Sequence, residues 1–476
     1  MLNQKTFIVE TALPKGDIAI GTEGGETQVY LGKVAEFGGA GRVFFDASKE
    51  VVSLIIGKRG SGKSFCLGSL LEGLCTAEPE TSISKISKRR GVLMLDPMGN
   101  FWTSLVPVRG DGKPRVREQF QMFEGWGCNP EDINVVVWIP AGFKRDTDHP
   151  NIQEFHVDVA DLDAADWADI LGTNLIRDPQ GILLAEALDA IREDGWQDSD
   201  GRRRPPKRQY TIQDIIAYLE MLRSSVANGQ LTDHATQTCR ALLRSFRGYA
   251  RLPLFSAGGT PLTDMIQEGR LSVLMLPSRV GHDLRRVLTR LLIRRIMRER
   301  EEASQIRNRL DLQPDIEEEE RQGLEAHLAR LIPRTVLALD EAQELVGDEG
   351  QEARQALEDF CLLGRNYGLS MILATQRPSV GAISSKVRAQ VDTTIVHSLM
   401  TQNDIETTWR DMQSAWPESV KLRERELDYS GLIRTLGIGQ AVVSSSHIRL
   451  EREGALARSF IMNVRPRVCV HGGETR

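Results

Sequence analysis

The sequence predicts an α/β protein built around a parallel-type central sheet, on the strength of two observations. Apolar runs without polar alternation recur at 51–56, 92–95, 135–139, 273–276, 336–339, 371–374 and 393–396, and the first of them passes straight into a glycine-rich loop followed by a helical stretch at 65–71. A strand that is half exposed alternates apolar with polar residues. A strand buried on both faces does not, and helices packed over both faces of a parallel sheet create that burial.

Taken in order, residues 7–45 offer short β-like runs, Gln28-Val29-Tyr30-Leu31-Gly32 and Arg42-Val43-Phe44-Phe45, separated by the glycine clusters Gly21-Thr22-Glu23-Gly24-Gly25 and Gly38-Gly39-Ala40-Gly41. They predict a small separate β domain over 1–48, ahead of a first core segment over 49–150. Residues 151–268 change to helical pattern, as at 181–188, with a basic loop at Arg202-Arg203-Arg204-Pro205-Pro206-Lys207-Arg208, and read as a helical insertion. The core resumes over 269–445. In it, the helical stretch 283–305 places Leu284, Val287, Leu288, Leu291 and Leu292 on one face and Arg286, Arg290, Arg294 and Arg298 on another. That arginine stripe reads either as a surface for phosphate or as a solvated face or intersubunit contact paired with acids. Residues 314–333, with four successive glutamates at 317–320, read as an exposed helical linker, and 446–476 as a C-terminal tail. No internal repeat is visible.

At 476 residues, roughly 150 per domain gives about three domains or one large core with insertions. With 41% apolar and 26% charged residues the chain can bury a sizeable core, which excludes general disorder. Sixty Lys+Arg against 66 Asp+Glu leave a net charge of -6, so any contact with nucleic acid must come from a local patch or an assembled channel. The six cysteines have no metal-ligand spacing, which argues against zinc, iron–sulfur clusters and a disulfide framework and points to a reducing compartment. The start, Met1-Leu2-Asn3-Gln4-Lys5 and then Phe7-Ile8-Val9, has no secretory apolar core, and no run approaches the ~18 residues of a spanning helix. The expectation is a soluble cytoplasmic protein with no membrane partner.

Chemistry concentrates in three places. Gly57-Lys58-Arg59-Gly60-Ser61-Gly62-Lys63-Ser64, followed by Phe65, is GxxxxGK[ST] in the strand–loop–helix setting that a phosphate-binding P-loop needs. Its glycines let successive N–H groups face phosphate, and the helix N-terminus adds a favourable dipole. Lys63 would reach the β and γ phosphates of ATP, and Ser64 would ligate Mg²⁺. The run 335–339 ends in Asp340 and Glu341, placed to hold Mg²⁺ through water and to act as general base. The run 370–374 ends in Thr375-Gln376-Arg377-Pro378, where Gln376 is a candidate sensor of the γ phosphate.

Leu339-Asp340-Glu341-Ala342-Gln343, Gly364-Arg365-Asn366-Tyr367-Gly368 and Ala374-Thr375-Gln376-Arg377-Pro378-Ser379 resemble, in order and spacing, the motifs of the HerA branch of the HerA/FtsK superfamily of hexameric DNA-translocating ATPases. Leu95-Asp96-Pro97-Met98-Gly99-Asn100-Phe101 and the late Val464-Arg465-Pro466-Arg467 and His471-Gly472-Gly473 add to the resemblance, which covers 7–140 and 270–476. It implies a RecA-like core assembled as a ring, ATP between subunits and double-stranded DNA in the channel. It also implies an N-terminal β-barrel that docks an effector such as a nuclease, and a C-terminal tail reaching to a neighbour. By matching motif, Arg365 would be the arginine finger acting on a neighbour's nucleotide, with Asp96 and Arg377 as further site candidates. Met98 and Asn100 stand where family members usually carry His and Glu, and Gln343 where they carry His, which weakens any catalytic role for the 97–101 loop beyond Asp96.

Two functions remain open at this point. One is an ATP-driven motor on double-stranded DNA, working in DNA processing or anti-phage defence, with Arg109, Lys113, Arg115, Arg117, Lys386 and Arg388 as candidate channel residues, although such residues are more often solvated loop charges. The other is a nucleotide-dependent ring scaffold that displays an effector, nuclease or NAD-consuming enzyme, with little translocation.

Overall fold

The computed structural model describes residues 5–9, 16–21, 24–36, 41–144, 149–198, 200–227, 233–313, 315–346, 351–378, 383–412, 420–448, 450–452 and 455–472. Met1 to Gln4, Thr22, Glu23, Gly38, Gly39, Ala40, Pro314, Ser379 and Gly473, all used in the sequence reading, lie outside them. The chain divides into two compact units: 1–137 with 266–277 and 293–476, and 138–265 with 278–292.

The α/β expectation holds. In the first unit six strands run parallel, in the order Arg270–Met275, Gly91–Asp96, Thr335–Leu339, Leu369–Thr375, Val52–Ile56, Thr393–Val396. Val52–Ile56 is buried at every residue, as are Gly91–Asp96, Thr335–Leu339 and Leu369–Thr375, which is why their sequences do not alternate. The register sets Ile56 beside Thr375 and Val396, and Leu339 beside Leu95. The loops that follow these strands therefore emerge together along the carboxyl edge of the sheet, where open parallel sheets carry their ligand sites.

Past Thr393–Val396 the sheet turns antiparallel through Gln440–Ser445, Ser459–Val464, Thr27–Val34 and Arg42–Asp46, with Ile18–Ile20 parallel to the last. These pairings bear on two expectations. The strands within 1–48 do not stand apart as a β-barrel module, because Thr27–Val34 pairs with Ser459–Val464 and so continues the central sheet. The described part of the 446–476 tail packs on its own chain at 465–468. Arg465 donates to the carbonyls of Tyr30 (2.6 Å) and Ser69 (2.5 Å), and Arg467 Nε donates to Glu72 at 2.8 Å, locking 465–470 onto the helix Lys63–Leu74. A buried guanidinium needs acceptors for its donors, and these carbonyls and this carboxylate are supplied from within the chain.

The second unit begins at Trp138 and includes 278–292, so its limits differ from the expected 151–268. Its helices Ala164–Leu171, Pro179–Asp189, Ile212–Ala227 and Asp233–Tyr249 pack around buried Trp167, whose ring lies 5.0 Å from Phe246 and 5.4 Å from Phe255. The arginine stripe is not one solvated face: within this unit Arg290 is buried, donates to Asp166 at 2.7 Å and pairs with Asp169 at 3.3 Å. All six cysteines are buried and free, and among the described residues no helix is long and apolar enough to cross a membrane.

Candidate nucleotide site

The site is assembled on the central strand Val52–Ile56 and its neighbours. After Ile56 the chain turns through Gly60 (φ 78°) and Gly62 (φ 105°), left-handed values that suit glycine, and enters the helix at Lys63. Gly57 has a second reason to be glycine, since a Cβ there would lie 2.4 Å from Ser61 Oγ and 2.7 Å from His397 Cβ.

Lys63 is buried and donates to Asp340 Oδ1 at 2.9 Å and to Glu341 Oε1 at 2.8 Å. Burial alone would depress its ammonium, yet the two facing carboxylates outweigh that and hold its pKa above the ordinary lysine value. Burial likewise pushes Glu341 upward, and Lys63 together with amide donors from Gln376 and Gln343 overcomes it, so its carboxyl stays below the usual range and ionised. Glu341 sits at φ 47°, a left-handed conformation rare outside glycine. The turn directs both acids of the pair at Lys63, and such strain is tolerated where the surroundings over-determine it.

Ser64 Oγ lies 3.3 Å from Asp340 Oδ2 and 3.4 Å from Oδ1. A hydroxyl and a carboxylate are the hard oxygen donors that Mg²⁺ prefers, and few protein ligands suffice where phosphates supply the rest. Beyond them Gln376 Nε2 donates to Glu341 Oε1, Gln343 Nε2 to Glu341 Oε2 at 2.7 Å, and Thr375 Oγ1 to Gln343 Oε1 at 2.8 Å. Every oxygen of Glu341 is thereby held in place. The strand ends thus bring together Lys63, Ser64, Asp340, Glu341 and Gln376, five residues read from three separate motifs.

The HerA central-domain family model, "Helicase HerA, central domain", matches residues 30–296, more than half of the 476 residues. The chain belongs to the HerA family. It is a branch of the HerA/FtsK superfamily of P-loop ATPases. The DNA translocase FtsK of Bradyrhizobium diazoefficiens is 32% identical over 81 residues, 17% of this chain and 10% of that protein. FtsK of Treponema pallidum is 29% identical over 73 residues, 15% and 9% respectively. The chain thus spans about a tenth of the length of the curated relatives it matches. Among solved structures, VirB4 of Thermoanaerobacter pseudethanolicus aligns over 92% of this chain and 96% of its own with a TM-score of 0.49 and 16% identity. The bacterial conjugative coupling protein TrwBdeltaN70 aligns over 89% and 88% with a TM-score of 0.45 and 12% identity.

Three other expected residues of this HerA-family chain do not join the Lys63 cluster: Asp96 ends the neighbouring strand beside Asp340, Arg377 follows Gln376, and Arg365 lies at the far end of the sheet. Asp96 is fully buried and accepts from the backbone N–H groups of Met98 (3.1 Å), Gly99 (2.8 Å) and Phe101 (2.7 Å), so it shapes its own turn. Burial raises its pKa to about 7, against those three donors, with the charge of Asp340 adding to the rise. Arg377 uses its N–H on Thr375 Oγ1 at 3.1 Å and exposes its side chain. Arg365 pairs with Asp392 and donates to the Gln390 carbonyl at 3.0 Å. Asp392 in turn accepts from Val52 N at 2.8 Å, so the Arg365 guanidinium sits at the amino end of the P-loop strand, the end opposite the loop 57–62.

Of the basic residues considered for DNA, Arg115 donates to the His471 carbonyl at 2.9 Å, Lys386 pairs with Glu358 at 2.9 Å, Arg388 pairs with Asp411, and Arg109 lies 3.8 Å from Asp132. Lys113 and Arg117 are exposed. Sequence reasoning missed His397. It is fully buried against the P-loop, its Nδ1 donates to the Gln440 carbonyl at 2.9 Å, and its Nε2 finds no hydrogen-bond partner among the described residues. Burial pulls its pKa down to about 4, keeping the ring neutral beside Lys63. No local motif marks it; a histidine after a buried run at 393–396 looks like any strand end.

Proposed function

We propose that this chain hydrolyses ATP and couples hydrolysis to movement of double-stranded DNA through a ring of its own copies, a hexamer in the HerA pattern, in the cytoplasm. The observation that carries the reading is the Lys63–Asp340–Glu341–Gln376 cluster at the mouth of the P-loop. The Lys63 ammonium is counter-ion to both acids. A triphosphate seated on the loop amides competes for that ammonium and leaves Glu341 free to accept a proton from water. Gln376, already on Glu341, is placed to orient the same water and to register the γ phosphate. Mg²⁺ would be held by Ser64 and, through water, by Asp340, and would supply charge neutralisation between the β and γ phosphates. Arg365 supports a ring: tied at the far end of the strand, it serves a nucleotide only if that nucleotide belongs to a neighbouring copy. An effector, a nuclease or an NAD-consuming enzyme, would use the assembled motor.

The second reading, a nucleotide-locked scaffold, draws on the engagement of Arg115, Lys386 and Arg388 by groups of their own chain. ATPase rate with and without linear duplex DNA separates the two. A motor accelerates several-fold on DNA, and a scaffold hydrolyses at the same rate in both conditions.

A further inference from the structure

The carboxylates fix which way a nucleotide lies. Asp340, Glu341 and Gln376 follow strands on one side of the P-loop strand, so the γ phosphate belongs there and the nucleoside must leave on the other side, over the ends of Thr393–Val396 and Gln440–Ser445. On that side the P-loop is stitched to two turns. Lys58 N donates to the Ser398 carbonyl at 2.9 Å, and Lys58 Nζ reaches Met400 Sδ at 3.3 Å. Gly439 N donates to the Ser61 carbonyl at 3.0 Å, and a Cβ on Gly62 would lie 2.7 Å from that same nitrogen. These two turns present Met400 and Ile438, large apolar side chains exposed at 56% and 45%.

We propose that Met400 and Ile438 form the platform on which the base of the bound nucleotide lies. The proposal rests on the reading of the P-loop as the phosphate site and adds the subsite that distinguishes a nucleotide from a bare polyphosphate. A thioether and a branched aliphatic chain offer what a flat heteroaromatic face needs, adaptable apolar area and a polarisable sulfur near the ring. Both are held by main-chain bonds to the loop that grips the phosphates, so base and phosphates are read by one rigid element. Arg434, which donates to the Met400 carbonyl and to Gln402 Oε1 at 3.0 Å, fixes the first turn from behind.

The test is calorimetric titration of the full chain with ADP and, separately, with inorganic tripolyphosphate, both with Mg²⁺. The double substitution Met400→Ser with Ile438→Ser removes two apolar contacts and is expected to weaken ADP about tenfold and to change tripolyphosphate by less than about twofold. Met400→Leu with Ile438→Val restores ADP binding, and Lys63→Ala weakens both ligands. Unchanged ADP affinity in the double serine variant overturns the platform while leaving the P-loop reading intact. Parallel loss of both ligands also overturns it, because the two turns would then only shape the loop. A fall in assembly mass with unchanged ADP affinity overturns it in favour of a surface covered by a second copy. Wild-type protein that binds neither ligand overturns the P-loop reading and the platform with it.

Discussion

Lys63 organises the site because one buried ammonium satisfies two carboxylates that would otherwise repel each other in a desolvated place. Glu341→Gln keeps the shape and the amide contacts but cannot accept the proton of the attacking water. We expect it to retain ATP and to lower the steady-state hydrolysis rate by about 10²-fold or more, measured as ATP co-purifying with the variant and as phosphate release. Hydrolysis at the wild-type rate would remove Glu341 from the chemistry. His397 gives a second residue-scale outcome. Its pKa falls from 6.5 to about 4 on folding, so between those values the unfolded chain binds a proton that the folded chain refuses. The stability it contributes is fully present above pH 6.5 and is lost as pH falls toward 4, a change of about 3 kcal/mol at the limit. His471, depressed to about 3 by burial, acts in the same direction. Urea denaturation across this window should therefore give a shallower slope for His397→Gln than for the wild type, and identical slopes would contradict the assignment. The contiguous P-loop and the two strand-end motifs were legible in the sequence because each carries its own context. Gln343, Thr375 and His397 were not, since each acts through a partner brought near only by the sheet.

The helix Lys63–Leu74 shows why the element scale was harder to read. It is buried along almost its whole length. Gly68 leaves room for the Arg467 guanidinium, 2.5 Å from where a Cβ would sit, and Gly73 leaves room for Val29, 2.2 Å from the same position. Glu72 accepts from Arg467 Nε at 2.8 Å and from Val468 N at 2.9 Å. The strand Thr27–Val34 and residues 465–468 therefore wedge the helix that carries Lys63. Glycine clusters around 21–25 and 38–41 read as the borders of a separate β module because local composition cannot reveal that Tyr30 accepts from Arg465, 435 positions away. The parallel strands were legible, since burial on both faces marks each one by itself. The closing of the sheet by distant ends was not. Removal of residues 1–46 is accordingly expected to strip Ser459–Val464 of its Thr27–Val34 neighbour, uncover the helix and give aggregated protein or one lacking a cooperative thermal transition. A soluble truncated chain melting like the full chain would restore the idea of a detachable domain.

At the scale of the whole molecule, the separation of Arg365 from the P-loop becomes a statement about assembly. Arg365 is anchored through Asp392 at Val52, and the phosphates belong beyond Ile56, so the strand alone interposes about 13 Å at ~3.3 Å per residue. A cation delivered to the γ phosphate by a neighbour stabilises transition-state charge and can be worth about 10³-fold or more in rate. Lys63→Ala and Arg365→Ala are each expected to be nearly inactive, the first for want of phosphate binding and the second for want of the finger. The most direct measurement is the ATPase rate of rings co-assembled from equal amounts of the two variants, with subunit exchange followed by a tag and each variant also mixed with wild type. If Arg365 serves the next copy, random assembly pairs an intact P-loop with an intact finger at about a quarter of the interfaces, and a corresponding share of wild-type activity returns. No recovery, alongside proportional activity in the wild-type mixtures, would contradict the account and leave Arg365 as the ion-pair partner of Asp392 alone.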